Sequence, residues 1–527
     1  MQCEKTKWLL SLVNKGLATT LIVATLATSA AGQTANAALP LLGDGSEMTS
    51  SAERRLGDRI ARELYRDPDF IDDPVLADYV QSIWQPLLAA ARQRGDLTPE
   101  LDERFAWRIV LGRDRSVNAF ALPGGYLGVH LGLMAVVSSR SELASVLGHE
   151  LSHVTQRHIA RLMTKNSQQA PWVIGAMILG ALAASKNADA GNALIVGGQA
   201  LSAQSQLNFS RDMEREADRI GFGVMTQAGF EAQGFVSMFD KLQQASRLND
   251  SGAYPYLRSH PLTTERIADM QSRLPLGGTA NPQTSLTPAH AMLTARARVL
   301  SNSGVDALRS WQNQADGRAL ENDPNAVQAG VLYGAAMAAS RLRDHAQARQ
   351  QLGRLQRIVD FNPEAKRQAQ WLAVEIALAA ADLPKAQWNA MADGFGLSNL
   401  HPSTLRRPEL LLQAQVAMQL GQGQALNAAT QNLQTWVAVN PQDALAWQEL
   451  ASIYAAQNQA LRAIRAEAES RVAHLDYAGA LDRLKAAQGA KPNTNIAPSN
   501  ADHIDASIID TRRRQIEVLL KDQALEN

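Results

Sequence analysis

The residues His149-Glu150-Leu151-Ser152-His153 form an H-E-x-x-H sequence, in which two histidines stand four positions apart. On a helix, residues four apart lie one turn above each other, so both imidazoles can face one metal ion. Zinc binds imidazole nitrogens and, in catalytic sites, takes one further protein ligand and a water. Glu150 lies beside the pair and is the candidate general base for hydrolysis. The alternative is that both histidines are solvated side chains at a helix edge.

A third metal ligand is expected on a second helix, and an acidic segment downstream supplies two candidates. Glu214 and Asp218 stand four residues apart, so both face the same side of that helix. One of them can bind the metal, and the other can hold an imidazole by a hydrogen bond. Without the H-E-x-x-H sequence, these acids would be interpreted as a solvated helix face. Glu216 is expected to point elsewhere on the helix.

Two further histidines lie near these segments. His260 precedes a proline, shortly before a helix that opens at Thr263, and it can supply a fourth ligand or donate to the oxyanion. A lone His-Pro pair is otherwise typical of a turn. His158 follows His153 by five residues, and we expect it to face away from the site and to be structural.

The pattern of apolar residues predicts the elements that position these side chains. Residues 51–92 have the spacing of two amphipathic helices. A long helix that begins after Ser139 carries the H-E-x-x-H sequence, and Ser139 with Glu142 forms a capping-box pattern at its start. Short strands are predicted before this helix, at Phe105–Leu111, Val117–Leu122 and Tyr126–Val129.

The C-terminal part is predicted to consist of helical repeats. Prolines 324, 363, 402 and 441 follow one another at a constant spacing of 39 residues. Trp447-x-x-Leu450-Ala451-x-x-Tyr454 is close to the pattern of a tetratricopeptide helix, although the usual period is about 34 residues. Equal spacing favours a solenoid of degenerate helical hairpins. An ordinary helical bundle with proline-marked turns is the alternative.

Composition bounds the class of protein. The chain has 527 residues, with 51 basic and 51 acidic side chains and one cysteine. This balance argues against electrostatic binding of nucleic acid, and the single cysteine excludes a disulfide scaffold and an iron–sulfur site. The length is enough for several domains.

The N-terminal residues predict a secretory signal peptide over 1–37. Three lysines precede the apolar segment 17–31, and Ala35-Asn36-Ala37 is a typical cleavage site. An uncleaved anchor helix is the alternative. The uncharged run 171–184 is shorter than the roughly 20 residues of a membrane span, so a buried helix or one in peripheral contact with a membrane is expected.

Composition shifts predict the domain boundaries. A metallopeptidase domain is expected over 44–275 and a set of tetratricopeptide-like repeats over 291–490. Linkers at 276–290 and 491–506 flank the repeats, and a terminal helix follows at 507–527.

Three motifs together carry a resemblance to a known family. The H-E-x-x-H sequence, the E-x-x-x-D sequence at 214–218 and Asn-Ala-Phe-Ala-Leu-Pro-Gly-Gly at 118–125 resemble the membrane-linked zinc peptidases that include the heat-shock protease HtpX. The resemblance is strongest over 105–270 and weaker over the repeats. It implies an α+β zincin-like metallopeptidase domain, mostly helical with a small sheet, followed by an all-α tetratricopeptide-type solenoid.

The resemblance also assigns roles to residues. It implies one Zn2+ per chain on His149, His153 and Glu214, with Glu150 as base and Asp218 supporting the site. A fourth ligand at His260 would keep the enzyme latent, and Arg266 would be an electrostatic neighbour. An extended substrate would pair with the strand formed by Asn118, Ala119, Phe120 and Ala121.

The resemblance to family members that have a signal peptide and C-terminal repeats implies the compartment, the substrates and the partners of this protein. We expect a metalloendopeptidase in the periplasm of a Gram-negative bacterium, associated with the outer membrane. Its substrates would be misassembled outer-membrane β-barrel proteins, and the repeats would bind these proteins or their assembly machinery. The alternative is a repeat-based chaperone or assembly scaffold whose metal site is latent or rarely used.

Overall fold

The computed structural model describes residues 48–165, 209–248, 254–274, 286–381, 388, 405–421, 423–489 and 500–524. The predicted signal peptide, the uncharged run 171–184 and Pro402 lie outside the described residues. None of the helices in these ranges is both long and apolar enough to cross a membrane.

The N-terminal part of the described chain is mostly helical. Its helices are α1 (Ser50–Arg66), α2 (Pro74–Arg94), α3 (Pro99–Arg104), α4 (Leu131–Val136), α5 (Arg140–Thr155), α6 (His158–Lys165), α7 (Arg211–Gln227), α8 (Gln233–Leu248), α9 (Tyr256–Ser259) and α10 (Thr264–Ser272). Helices α2 and α5 lie in the core, and Ile83, Trp84, Leu147 and Leu151 on them are completely buried. Their apolar residues recur at helical spacing, so folding removes one continuous face of each helix from water.

A small sheet stands beside these helices, as the sequence predicts. Its strands are β1 (Arg108–Gly112), β2 (Ala119–Leu122) and β3 (Tyr126–His130), in the order β1-β3-β2. Strand β1 is parallel to β3, whereas β2 is antiparallel to it, with Ala119 opposite Val129. Strand β2 therefore forms one edge of the sheet, and it packs against α5.

Helix α5 begins where the capping pattern predicts. The Ser139 hydroxyl accepts a hydrogen bond from the Glu142 N–H at 3.2 Å, which satisfies one of the free N–H groups of the first turn. The Glu142 carboxylate accepts from the Ser138 N–H at 2.6 Å and from Lys241 of α8 at 2.7 Å. The start of α5 is thus fixed to α8 as well as capped.

The C-terminal part of the described chain is entirely helical. Its α-helices are α11 (Pro288–Ser301), α12 (Val305–Asp316), α13 (Asn325–Arg341), α14 (His345–Val359), α15 (Pro363–Ala380), α16 (Arg407–Leu420), α17 (Gly423–Val439), α18 (Ala444–Ala456), α19 (Ala460–Ala473), α20 (Tyr477–Gly489) and α21 (Asn500–Ala524). Successive helices pack against one another, consistent with a helical solenoid. Helix α21 begins at Asn500 rather than at Ser507.

Of the three described prolines of the 39-residue spacing, two stand at helix starts and the third lies in a turn before a helix. Pro324 caps α13 and Pro363 opens α15, while Pro441 lies in the turn that precedes α18. Proline fits the start of a helix because its missing N–H would have no partner there.

Buried ion pairs join the repeats to the start of α2. The Arg296 side chain on α11 is 3% exposed and makes two hydrogen bonds to Asp73, at 2.8 and 2.7 Å. It also bonds both oxygens of Glu375, at 2.8 and 2.7 Å, and the Tyr333 hydroxyl at 2.9 Å. The Asp73 carboxylate additionally caps α2. The N-terminal and C-terminal parts of the described chain therefore share a buried, charged and hydrogen-bonded contact at Arg296.

Candidate metal centre and active site

Helices α5 and α7 cross at two glycines, and this crossing brings the candidate ligands together. A Cβ atom built on Gly221 would lie 2.9 Å from the carbonyl carbon and oxygen of Gly148. Since such contacts are shorter than side chains tolerate, the two backbones approach closely only because both residues are glycine. His149 follows Gly148 directly, and Asp218 stands one turn before Gly221 on α7.

Four side chains converge at this crossing. One donor atom from each of His149, His153, Glu214 and His260 lies within 4.8 Å of the other three. The two Nε2 atoms of His149 and His153 are 2.9 Å apart, and Glu214 oxygens approach them at 3.5 and 3.4 Å. His260 Nδ1 lies 3.0 Å from Glu214 Oε1. All four side chains are at most 2% exposed.

This donor set fits a metal ion. Imidazole nitrogens and a carboxylate oxygen, converging from different helices, are the ligands that zinc and similar divalent ions take in proteins. Neither oxygen of the buried Glu150 carboxylate makes a hydrogen bond within the described residues. Buried carboxylates rarely lack hydrogen-bond partners. The two Glu150 oxygens are therefore available to accept from polar groups that take part in a reaction.

Asp218 and Arg266 contact the ligands of the cluster without belonging to it. Asp218 Oδ1 lies 2.9 Å from His149 Nδ1, and Arg266 binds the same carboxylate through two bonds of 2.6 and 2.7 Å. Arg266 Nη1 also reaches Glu214 Oε2 at 2.7 Å and the Pro261 carbonyl at 2.8 Å. One guanidinium thus balances two buried carboxylates and fixes the turn that carries His260.

Burial and charge together set the ionisation of these groups. Burial raises the pKa of Glu214, but His260 and hydrogen bonds from His149, His153 and His260 outweigh it and hold this pKa well below its usual value. Burial lowers the pKa of His149, whereas its bonds to Asp218 and Glu214 raise it, to about 10. Burial holds the pKa of His153 well below its usual value. The cluster thus combines an ionised carboxylate with a neutral imidazole on His153.

His260 ends the short helix α9, and aromatic rings hold it in the cluster. The Tyr256 ring stacks on it with a centroid distance of 4.6 Å, and the Phe209 ring stacks at 5.5 Å. His260 Nε2 approaches Glu150 Oε1 at 3.5 Å. His260 therefore contacts both a candidate ligand and the candidate base. The sequence patterns gave no indication of Tyr256 or Phe209, because aromatic residues at these positions are also typical of a core.

The expectation that His158 faces away from the site was wrong, whereas Glu216 points away from the ligand cluster as expected. His158 is fully buried, and its Nδ1 lies 2.9 Å from Nδ1 of His153, while its Nε2 lies 3.1 Å from Glu216 Oε2. The expectation assumed one continuous helix, but α5 ends at Thr155 and Arg157 has a left-handed backbone with φ 52°. This break turns His158 back onto the site, and the sequence there contains neither glycine nor proline to signal it.

The pKa values of this second pair also shift. Burial lowers the pKa of His158 to about 4. Burial raises the pKa of Glu216, but hydrogen bonds from Arg161 and His158 outweigh it, and the net pKa is lowered. At neutral pH, an ionised Glu216 therefore faces a neutral His158.

The proposed substrate strand lies beside this cluster. Residues 119–122 form the edge strand β2, and Asn118 precedes it with its carbonyl accepting from the His130 N–H at 3.0 Å. The Val117 carbonyl accepts from the Tyr256 N–H at 3.4 Å, which links the start of this strand to the helix that ends at His260. Of the side chains, Phe120 is partly exposed and the other three are buried.

Comparison with known protein families agrees with this geometry. Residues 77–274 match the model of peptidase family M48, and this range includes every residue of the cluster. These residues form a peptidase family M48 domain. The match to this family and the cluster that can hold a metal ion together indicate a metalloprotease domain.

Several curated proteins are similar to this chain. It is 37% identical over 264 residues to the putative beta-barrel assembly-enhancing protease of Vibrio cholerae, an alignment covering 50% of this chain and 52% of that protein. It is 29% identical to the beta-barrel assembly-enhancing protease of Escherichia coli K12 over 521 residues, 95% of this chain and 97% of that protein. The mitochondrial metalloendopeptidase OMA1 of Arabidopsis thaliana is 32% identical over 164 residues, 31% of each chain. Similarity beyond the M48 domain thus includes the repeats.

Proposed function

We propose that this chain is a periplasmic zinc metalloendopeptidase that hydrolyses peptide bonds of misassembled outer-membrane proteins. The observation that carries the hydrolytic part is the buried cluster of His149, His153, Glu214 and His260 beside the Glu150 carboxylate, which makes no hydrogen bond to the described residues. In this proposal His149, His153 and Glu214 hold one zinc ion. When bound, zinc would supply Lewis-acid polarisation of the scissile carbonyl and ease the ionisation of water.

The remaining steps belong to side chains of this protein. Glu150 accepts a proton from the attacking water and then passes it to the leaving amine. Asp218 Oδ1 lies 2.9 Å from His149 Nδ1 and so orients that imidazole with its Nε2 toward Glu214. Arg266 keeps Asp218 ionised and in place. Strand β2 offers backbone groups at its free edge, with which an extended substrate can pair.

A Glu150→Gln variant tests this mechanism. We expect it to bind zinc like the wild type, because Glu150 is not a ligand, while cleavage of an unfolded protein substrate falls about 100- to 10,000-fold. Glu265→Gln is the matched control, since Glu265 is an exposed carboxylate near the site. Cleavage that persists in Glu150→Gln would contradict the assignment of the base.

His260 is proposed to hold the enzyme latent as a fourth ligand. Its Nδ1 is 3.0 Å from Glu214 Oε1 and its Nε2 is 3.5 Å from Glu150 Oε1, so the imidazole stands where a substrate group would have to enter. A His260→Ala variant should then cleave unfolded protein faster than the wild type. Unchanged or slower cleavage would refute latency, and slower cleavage would favour hydrogen bonding to the oxyanion instead.

The similarity to beta-barrel assembly-enhancing proteases over nearly the whole chain supports the proposed substrates and partners. The repeats would bind barrel proteins or their assembly machinery, with a solenoid surface as the contact. Purified wild-type protein incubated with a denatured and with a folded barrel protein should degrade only the denatured form. Equal degradation of both would argue against a role in quality control.

The alternative function is that of a chaperone or assembly scaffold with a rarely used site. The position of His260 within the ligand cluster favours this alternative, since it restricts access to Glu150. Complementation of a strain that lacks the gene separates the two functions. If Glu150→Gln restores outer-membrane assembly as well as the wild type, the scaffold function predominates; if it does not, the protease function does.

A further inference from the structure

The two histidines of the H-E-x-x-H sequence are both backed by a carboxylate, but in different ways. His149 Nδ1 lies directly against Asp218 Oδ1, at 2.9 Å. His153 Nδ1 instead lies 2.9 Å from the Nδ1 of His158, whose other nitrogen lies 3.1 Å from Glu216 Oε2. The second carboxylate therefore reaches its histidine through an intervening imidazole.

The direction of each hydrogen bond in the series Glu216–His158–His153 follows from the carboxylate of Glu216. An ionised carboxylate only accepts hydrogen bonds, so Nε2 of His158 carries the proton that Glu216 accepts. A neutral imidazole has one proton, and Nδ1 of His158 is consequently an acceptor. His153 must then donate from its Nδ1, which leaves its Nε2 without a proton.

The nitrogen of His153 that carries no proton, Nε2, is the one that faces the ligand cluster. His153 Nε2 lies 2.9 Å from His149 Nε2 and 3.4 Å from Glu214 Oε1. A metal ion binds an imidazole nitrogen through its lone pair, and the hydrogen bond made by the other nitrogen decides which one carries that lone pair. The opposite tautomer of His153 would present an N–H to the metal.

Neighbouring side chains hold this series of hydrogen bonds in place. His158 is fully buried, and the Phe209 ring packs against His153 with a centroid distance of 3.9 Å. Arg161 on α6 donates to Glu216 Oε2 at 3.0 Å and thereby favours its ionised form. Glu216 itself is partly exposed, with 29% of its side chain accessible.

We propose that His158 and Glu216 are positioning residues that set the tautomer of His153 for metal binding. This inference rests on the ligand set of the proposed function. It assigns a role to the second glutamate of the Glu214-Arg215-Glu216 sequence. Glu214 belongs to the ligand cluster, whereas Glu216 acts on the cluster through His158, from the opposite side of His153.

The first experiment measures zinc affinity of the full chain by competition with a chromophoric chelator. His158→Phe and Glu216→Leu should each raise the dissociation constant for zinc about 10- to 100-fold, the usual effect of losing such an outer partner. His158→Gln should restore part of the affinity, because its amide oxygen can accept from His153. Wild-type affinity in both His158→Phe and Glu216→Leu would overturn the proposal.

Matched controls separate positioning from a general loss of structure. His474→Phe removes a partly buried histidine that stacks on Tyr65 with a centroid distance of 4.8 Å, and Glu265→Gln removes an exposed carboxylate. Both should bind zinc like the wild type, and an equal loss in these controls would refute the proposal. If His158→Phe does not fold, Glu216→Leu decides, since the Glu216 side chain is partly exposed.

The second experiment observes the tautomer itself. Nitrogen NMR of the metal-free chain labelled at histidine should show His153 protonated at Nδ1 in the wild type and shifted toward the other tautomer in Glu216→Leu, which has no acceptor for His158. A His153→Gln variant identifies the signal. An unchanged tautomer in Glu216→Leu would overturn the proposal even where zinc binds normally, whereas a wild type that binds no zinc would refute the ligand set and the positioning role with it.

Discussion

Gly148 on α5 and Gly221 on α7 are in backbone contact, and this contact determines how closely the two metal-binding helices approach. A Cβ on Gly221 would stand 2.9 Å from Gly148 C and O and from the N of His149. Helices usually pack with axes 8–10 Å apart, at a distance set by the side chains between them. Here both side chains are absent, and His149 can therefore reach Asp218 and Glu214 on the neighbouring helix.

Gly221→Ala is expected to destabilise the protein by about 1–3 kcal/mol, because the added methyl group overpacks the crossing. It should also weaken zinc binding, since α7 carries Glu214 and Asp218. Thermal unfolding and chelator competition measure the two effects. Gly353→Ala is the matched control: no atom lies within 4 Å of its added Cβ in α14, so this variant should gain about 1 kcal/mol. Equal stability of the two variants would contradict the role of the crossing.

Arg266→Ala should be strongly destabilising in the absence of metal. It leaves Asp218 and Glu214 buried without their cation, and breaking such a pair costs about 3–5 kcal/mol. Added zinc should recover part of this loss, because the ion supplies positive charge to the same carboxylates. Thermal unfolding with and without zinc measures the effect. Arg215→Ala removes an exposed arginine of α7 and should change the unfolding free energy by no more than about 0.5 kcal/mol.

Arg296→Ala should loosen the contact between the repeats and α2. Burial opposes the charged form of Arg296, yet Asp73 and Glu375 raise its pKa well above the usual value. Its removal leaves Asp73 buried and unpaired, so we expect a loss of about 3–5 kcal/mol. Limited proteolysis should then cut between the two parts faster. Lys366→Ala, which removes an exposed ion pair with Asp360, should cost at most about 1 kcal/mol. Equal protease resistance of both variants would rule out this role for Arg296.

The burial of a neutral His290 predicts a loss of stability in mild acid. Burial lowers the pKa of His290 below the usual value of about 6.5, and the imidazole is held neutral between the Tyr79 hydroxyl at 2.7 Å and the Val137 carbonyl at 3.0 Å. Because the unfolded chain binds the proton more readily, His290 contributes stability above pH 6.5 that is lost as pH falls toward the folded pKa. Urea unfolding between pH 8 and 5 measures this slope. His290→Gln should flatten it, whereas replacing the exposed His503 should not.

Much of the site could be predicted from the sequence because it depends on helix periodicity. His149 and His153 share a face at i, i+4, as do Glu214 and Asp218; the first three lie in the ligand cluster of the structure, and Asp218 contacts it through His149. The strands and the capped start of α5 were predictable from other local patterns, namely short β-type runs between turns and a serine before the helix. All of these features depend on local sequence.

His158 shows where such reasoning fails. The expectation that it faces away followed from a continuous helix, but Arg157 adopts a left-handed conformation that no local residue type signals. This conformation is held by a distant contact, since Arg157 Nε donates to Glu53 Oε2 of α1 at 3.0 Å. A residue 104 positions away in sequence thus fixes the turn that brings His158 to His153.

The sequence by itself determined the chemistry of this protein: two imidazoles and a base on one helix, two acids on another, and regularly spaced helices behind them. Only the tertiary structure decided that Arg266 neutralises Asp218 and Glu214 together, that His158 turns back onto His153, and that Arg296 joins the repeats to α2. The physical reason is that periodicity places side chains on a face of one helix, whereas contacts between helices depend on how closely the backbones pack.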